Sequence, residues 1–132
     1  MAQGYKIYKS NDFIRKTEEG RFDRQRSLNL VKELVTASSF HKEHNLLIDI
    51  RATEPLDSFG DTLAVAIEFA KYQEAFPNKI AVIIPDNPER IERAEFFKAS
   101  LGEVKFNIEY FTDFESAIEW LSIVTEHPEQ AT

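Results

Sequence analysis

The sequence predicts one α/β domain over residues 1–132, in which an N-terminal hairpin leads into a mostly parallel sheet flanked by helices. Two apolar runs carry this expectation, "NLLIDI" (45–50) and "KIAVIIP" (79–85). Each is too short for a helix and lacks the alternation of a half-exposed strand, the pattern of strands covered on both faces. Amphipathic helical segments stand between and around them, so consecutive strands run parallel and connect through right-handed crossovers. No Pro/Gly/Ser-rich linker or internal repeat divides the 132 residues, and a chain of that length buries roughly two thirds of its unfolded surface in a single core.

The elements follow in order. "YKIY" and "DFIRKTEEG", separated by Ser10, Asn11 and Asp12, read as two strands around a polar turn. From about Asp23 to Ser38, Leu28, Val31 and Val35 share a helical face with Leu34 beside them, and Asp23 is placed to cap. "NLLIDI" is then the central strand. A helix from about Ser58 to Ala75 repeats apolar residues at Phe59, Leu63, Ala66 and Ala70, with Ile67 adjacent, and stops at Pro77. After "KIAVIIP", Asn87-Pro88-Glu89 has a capping side chain, a proline where no N–H is needed and an acid suited to the helix dipole. That helix ends near Gly102. "VKFNIEYF" alternates, so this strand is expected near an edge. Thr112-Asp113-Phe114-Glu115 reads as a capping box opening a helix with a Phe114, Ile118, Leu121 stripe. Residues after about Glu126 read as a frayed tail. Ile48, Ile50, Val82 and Ile84 are expected to be nearly fully buried.

Composition narrows the function classes. A formal net charge of -7 opposes wholesale binding to nucleic acid or anionic lipid, which draws on a basic surface. The absence of Cys removes disulfides, thiol nucleophiles and thiolate metal sites, and suits the cytoplasm. There is no apolar leader in "MAQGYKIYKSND" and no run of membrane-spanning length, so a protein that is neither secreted nor membrane-spanning is expected. Eleven Phe, four Tyr and one Trp supply a dense aromatic core.

"LLIDI", the loop to "LDSFG" at a helix start, "KIAVIIP" and the closing "FTDFESAIEWL" together resemble the SpoIIAA-like, or STAS, domains, over residues 45–122 and in the order of elements. In the anti-sigma-factor antagonists of that family, an apolar strand containing Asp precedes an Asp-Ser-Ser-Gly or Asp-Ser-Thr-Gly turn that opens the next helix. Asp49 and Asp57 reproduce that separation, and Asp57, Ser58 and Gly60 match the turn. The hydroxyl presented to the partner kinase in those proteins is the second one, and Phe59 stands there. The resemblance therefore implies a phosphoserine switch that has lost its acceptor. The ending is similar to SpoIIAA-like proteins of unassigned function, relatives of the CRAL-TRIO lipid-transfer fold.

Ser58 is expected to cap its helix rather than carry phosphate. Capping contributes on the order of 1 kcal/mol, and Asp61 already supplies the charge the helix start favours and would repel a phosphate. Asp49, Asp57, Asp61 and Asp86 lie near strand ends but without the spacing of a cation loop, and "HKEH" (41–44) has too few ligands for zinc, so no metal is expected. Arg15, Lys16, Arg21, Arg24 and Arg26 are interleaved with Glu18, Glu19 and Asp23 and read as ion pairs on a solvated face, although a small anionic ligand or lipid head group near the start of the first long helix suits the same arginines. There is no nucleophile elbow, P-loop or dinucleotide fingerprint.

The expectation is thus a non-enzymatic, cofactor-free cytoplasmic binding or regulatory module whose recognition surface is the Thr53–Gly60 turn and adjoining helix face, with Asp57, Ser58, Phe59 and Gly60 as binding residues. Its partner is a protein or a second copy in a homodimer. A small lipid or apolar-ligand binder is the second expectation. Ligands on such sheets sit beyond the carboxyl ends of the strands.

Overall fold

The computed structural model describes residues 4–10, 12–55, 58–102 and 105–127. The apolar runs become β3 (Asn45–Glu54) and β4 (Lys79–Ile83), inner strands of a four-stranded parallel sheet. Its outer strands are β2 (Phe13–Arg21) and β5 (Asn107–Phe111), the latter at an edge as its alternation predicts, in the order β2-β3-β4-β5. Strands added always in one direction through crossovers of one hand place the connecting helices on one face. Those helices are α1 (Arg24–Phe40), α2 (Phe59–Ala70) and α3 (Pro88–Ser100). The remaining helix, α4 (Phe114–Leu121), covers the opposite face.

The pleat sorts the residues between two cores. Ile14, Leu46, Ile80 and Ile108 align across the four strands on the three-helix face. Leu47 and Ala81, one residue on, face α4 and pack with Ile83, Ala117 and Leu121. Of the four residues expected deep in the sheet, Ile48, Val82 and Ile84 are buried, whereas Ile50 is half-buried because β3 runs past the end of its pairing with β4 at Asp49.

Helix starts follow the caps. Asp23 Oδ1 accepts from the Arg26 amide at 2.8 Å, and Asn87 Oδ1 from the Arg90 amide at 3.1 Å. For α4 the cap is Asp113 rather than Thr112, since its carboxylate accepts both the amide (2.7 Å) and the hydroxyl (2.9 Å) of Ser116. Gly102 follows α3 at φ +65°, where a side chain would be strained.

Three expectations are corrected. The N-terminal hairpin does not form: β1 (Tyr5–Lys9) pairs antiparallel with β6 (Ile123–His127), while β2 pairs parallel with β3. Polar residues between two strands are a local signal, and here the longer-range pairings across β3 and β6 prevail. Residues 123–127, up to the expected tail, are therefore a strand, consistent with the β-branched run Ile123-Val124-Thr125. The rest of that tail, 128–132, lies outside the described residues. Helical faces also shift. In α2, Thr62, Val65, Ala66 and Phe69 are buried, while Phe59, Leu63 and Ile67 remain exposed at 39%, 40% and 51%. A helix apolar nearly all round does not reveal by periodicity which side faces inward. It ends at Ala70, and a 3-10 turn (Gln73–Ala75) follows. In α4 the buried pair is Ala117 and Leu121, with Phe114 36% exposed.

Candidate functional site

Between the sheet and its three helices lies a cavity of about 170 Å³. Its floor is the sheet face, with Ile48, Ile80, Val82 and Ile108, and its walls come from Leu30 and Val31 of α1, Val65 of α2 and Ala94 of α3. Aromatic rings close one part: Phe69 lines it, stacks on Phe76 at 4.8 Å and meets Phe106 at 4.6 Å between centroids. Among the described lining residues only Glu54 and Pro55 are exposed, which places an opening to solvent beyond the carboxyl end of β3. Ligands of open α/β sheets commonly sit beyond the carboxyl ends of the strands.

Two arginines one helical turn apart on α3 stand at this end. Arg90, 8% exposed, donates from Nη1 to the Thr53 carbonyl (2.6 Å) and from Nη2 to Thr53 Oγ1 (2.9 Å), fastening α3 to the end of β3. Burial, reinforced by the nearby charge of Arg93, lowers the Arg90 pKa from its ordinary value. Arg93 lies over the Phe59 ring, 4.8 Å from its centroid. Its Nε and Nη1 are buried without a hydrogen-bond partner. Glu89 Oε1 forms an ion pair with Nε at 3.6 Å, beyond hydrogen-bond range, and its side chain is 63% exposed. Tyr110 lines the cavity from β5, and burial raises its pKa above the ordinary value.

Of the residues expected to bind, Ser58, Phe59 and Gly60 stand beside this mouth and are not among its lining residues. Ser58 Oγ accepts from the Asp61 amide at 3.1 Å, so Ser58 is the cap of α2. Phe59 is 39% exposed, meets Phe96 edge-on at 4.9 Å and lies under the Arg93 guanidinium. Gly60 has no positive φ, and a Cβ there would meet only Ser58 Oγ at ordinary contact distance. Asp57 lies outside the described residues. Replacing Ser58 by Ala is expected to cost about 0.5 to 2 kcal/mol in chemical denaturation, while Ser58→Asp, an equally good cap, stays near neutral.

Asp49 sits on the opposite face and does not join a carboxylate cluster. It accepts from Arg51 Nε (3.0 Å), Nη2 (2.7 Å) and the Arg51 amide (3.1 Å), with Arg15 at 3.9 Å. The Arg51 side chain holds the Asp49 carboxyl below the usual carboxylate range, against the opposing effect of burial. A depressed carboxylate pKa contributes stability above the unfolded value, about 4, and loses it as pH falls through the lower folded value. Asp49→Asn is therefore expected to cost about 1 to 3 kcal/mol at neutral pH. Urea titrations at successively lower pH should show the gap between the two proteins closing below about pH 4.

The basic cluster is largely paired: Lys16 lies 3.3 Å from Glu18 and 3.1 Å from Glu33, and Arg26 bonds Glu18 and the Arg21 carbonyl. His41 and His44 meet edge-on at 4.9 Å. Among the described residues, no three potential ligands converge as a metal site. No helix among them is long and apolar enough to cross a membrane.

Sequence reasoning missed Arg90, Arg93 and the cavity. A signal existed for the first: Arg90, Ala94, Phe97 and Leu101 share one face of "PERIERAEFFKASL", placing an arginine in an otherwise apolar stripe. In comparisons with protein-family models, curated proteins and solved structures, nothing matches this chain.

Proposed function

We propose that this chain is a non-enzymatic cytosolic binding module of the SpoIIAA-like type, without the usual phosphoserine switch, whose ligand is a small apolar molecule held between the sheet and its three helices. The observation that supports this reading is the cavity of about 170 Å³. Close-packed interiors seldom leave such a space, and an engineered apolar cavity of about 150 Å³ stays dry and admits benzene. Its size matches a compact ligand rather than a long acyl chain. Native mass spectrometry of the protein taken gently from its own cells tests the reading. A retained small organic adduct, released on activation, is expected, whereas protein found only at its sequence mass and unable to take up benzene would contradict it.

A second reading is favoured by one feature. Phe59, Leu63 and Ile67 form an exposed apolar row on α2, spaced four residues apart and continuous with the expected recognition turn. Such a row suits a protein partner or a second copy in a homodimer. If it is a self-association surface, light scattering will report a dimer that Leu63→Glu converts to a monomer. A monomer across micromolar concentrations of the unaltered protein would exclude that form of the reading.

A further inference from the structure

Arg93 presents a polar requirement at the mouth of an apolar space. Its Nε and Nη1 are buried without a hydrogen-bond partner, its ring neighbour Phe59 offers a π face but no acceptor atom, and Glu89, the ion-pair partner of Nε at 3.6 Å, stays beyond hydrogen-bond distance. Buried guanidinium donors left unmet carry a desolvation cost that a bound anion relieves. Arg90 cannot meet it, being itself a cation with its Nη atoms engaged by Thr53. The mouth thus sets Arg90 and Arg93 beside the cavity, with the Glu54 carboxylate also on its rim and Glu89 ion-paired to Arg93, on a protein whose formal net charge is -7.

We propose that the ligand is a small monocarboxylic acid, its apolar body of about six to eight carbons inside the cavity and its carboxylate received by Arg93. Carboxylate suits the planar guanidinium fork, and the modest volume selects a free acid over the end of a long lipid. The inference rests on the cavity reading above and adds the chemistry of the head group. Arg93 contributes charge-assisted hydrogen bonds, the Phe59 ring limits the directions its guanidinium takes, and Ile48, Val82 and Ala94 enclose the body.

Calorimetric titration of the full chain at neutral pH, with hexanoate against 1-hexanol and phenylacetate against 2-phenylethanol, separates the two claims. Each acid is expected to bind about tenfold or more tightly than its alcohol, a difference within reach of one charge-assisted contact. Arg93→Gln should remove that advantage while leaving the alcohol affinities in place, and Arg93→Lys should restore part of it. Alcohols binding as well as acids to the unaltered protein would overturn the carboxylate assignment and leave the cavity reading standing. Binding of none of the four probes would overturn both. An acid preference that persists in a folded Arg93→Gln protein would overturn the role of Arg93. Should that variant not fold, the acid and alcohol comparison in the unaltered protein still decides the head group.

Discussion

Replacing Leu47 by Ala is expected to destabilise the protein by about 2 to 5 kcal/mol, toward the upper end, and Ile80→Ala by less. Both side chains are fully buried, at 0% and 1% exposure, but on different faces of the sheet. Leu47 faces α4 among Ala81, Ile83, Ala117 and Leu121, where truncation opens a new void that short alanine side chains cannot fill. Ile80 already borders the cavity, so part of its surface has no packed neighbour to lose. Urea unfolding of the two variants gives the order directly. An Ile80→Ala protein at least as destabilised as Leu47→Ala would mean that the three-helix face is packed as tightly as the other.

Filling the space should have the opposite sign. Ala94, 8% exposed, lines the cavity from α3, and Ala94→Leu directs three more carbons toward it. Cavity-filling changes commonly add about 0.5 to 2 kcal/mol, while the same insertion into a close-packed core costs about 1 to 3 kcal/mol. Ala94→Leu is therefore expected to raise the denaturation midpoint and to abolish binding of small apolar ligands. A lowered midpoint with ligand binding retained would place the ligand elsewhere.

Features that depend on local chemistry were legible in the sequence. The unalternating runs 45–50 and 79–85 specified β3 and β4, and Asp23, Ser58 and Asn87 marked helix starts because a side-chain acceptor there satisfies an otherwise free amide. Features that depend on distant partners were not. Nothing local to Tyr5–Lys9 identifies Ile123–His127 as its neighbour, and Ser10, Asn11 and Asp12 suggested a nearer one. Periodicity points Phe59, Leu63 and Ile67 of α2 inward because they are as hydrophobic as the residues that are buried. The cavity was out of reach for a related reason: it arises from a shortfall of side-chain volume across three helices and a sheet, with Ala94 and Val65 where larger residues would close it. The sequence of the turn predicts Ser58 as a cap, as it is, while the contact of the neighbouring Phe59 with Arg93 depends on a partner distant in the chain.

Isoleucine methyl groups give the most direct view of the cavity, because they mark both faces of the sheet. Ile48, Ile50, Ile80, Ile84 and Ile108 line it, whereas Ile83 and Ile118 belong to the opposite core beneath α4. In methyl-labelled protein titrated with benzene, saturable shifts are expected at the first five and none at Ile83 and Ile118. Spectra that stay unchanged, or shifts centred on Ile83 and Ile118 or on the exposed Ile67, would contradict a ligand site between the sheet and its three helices.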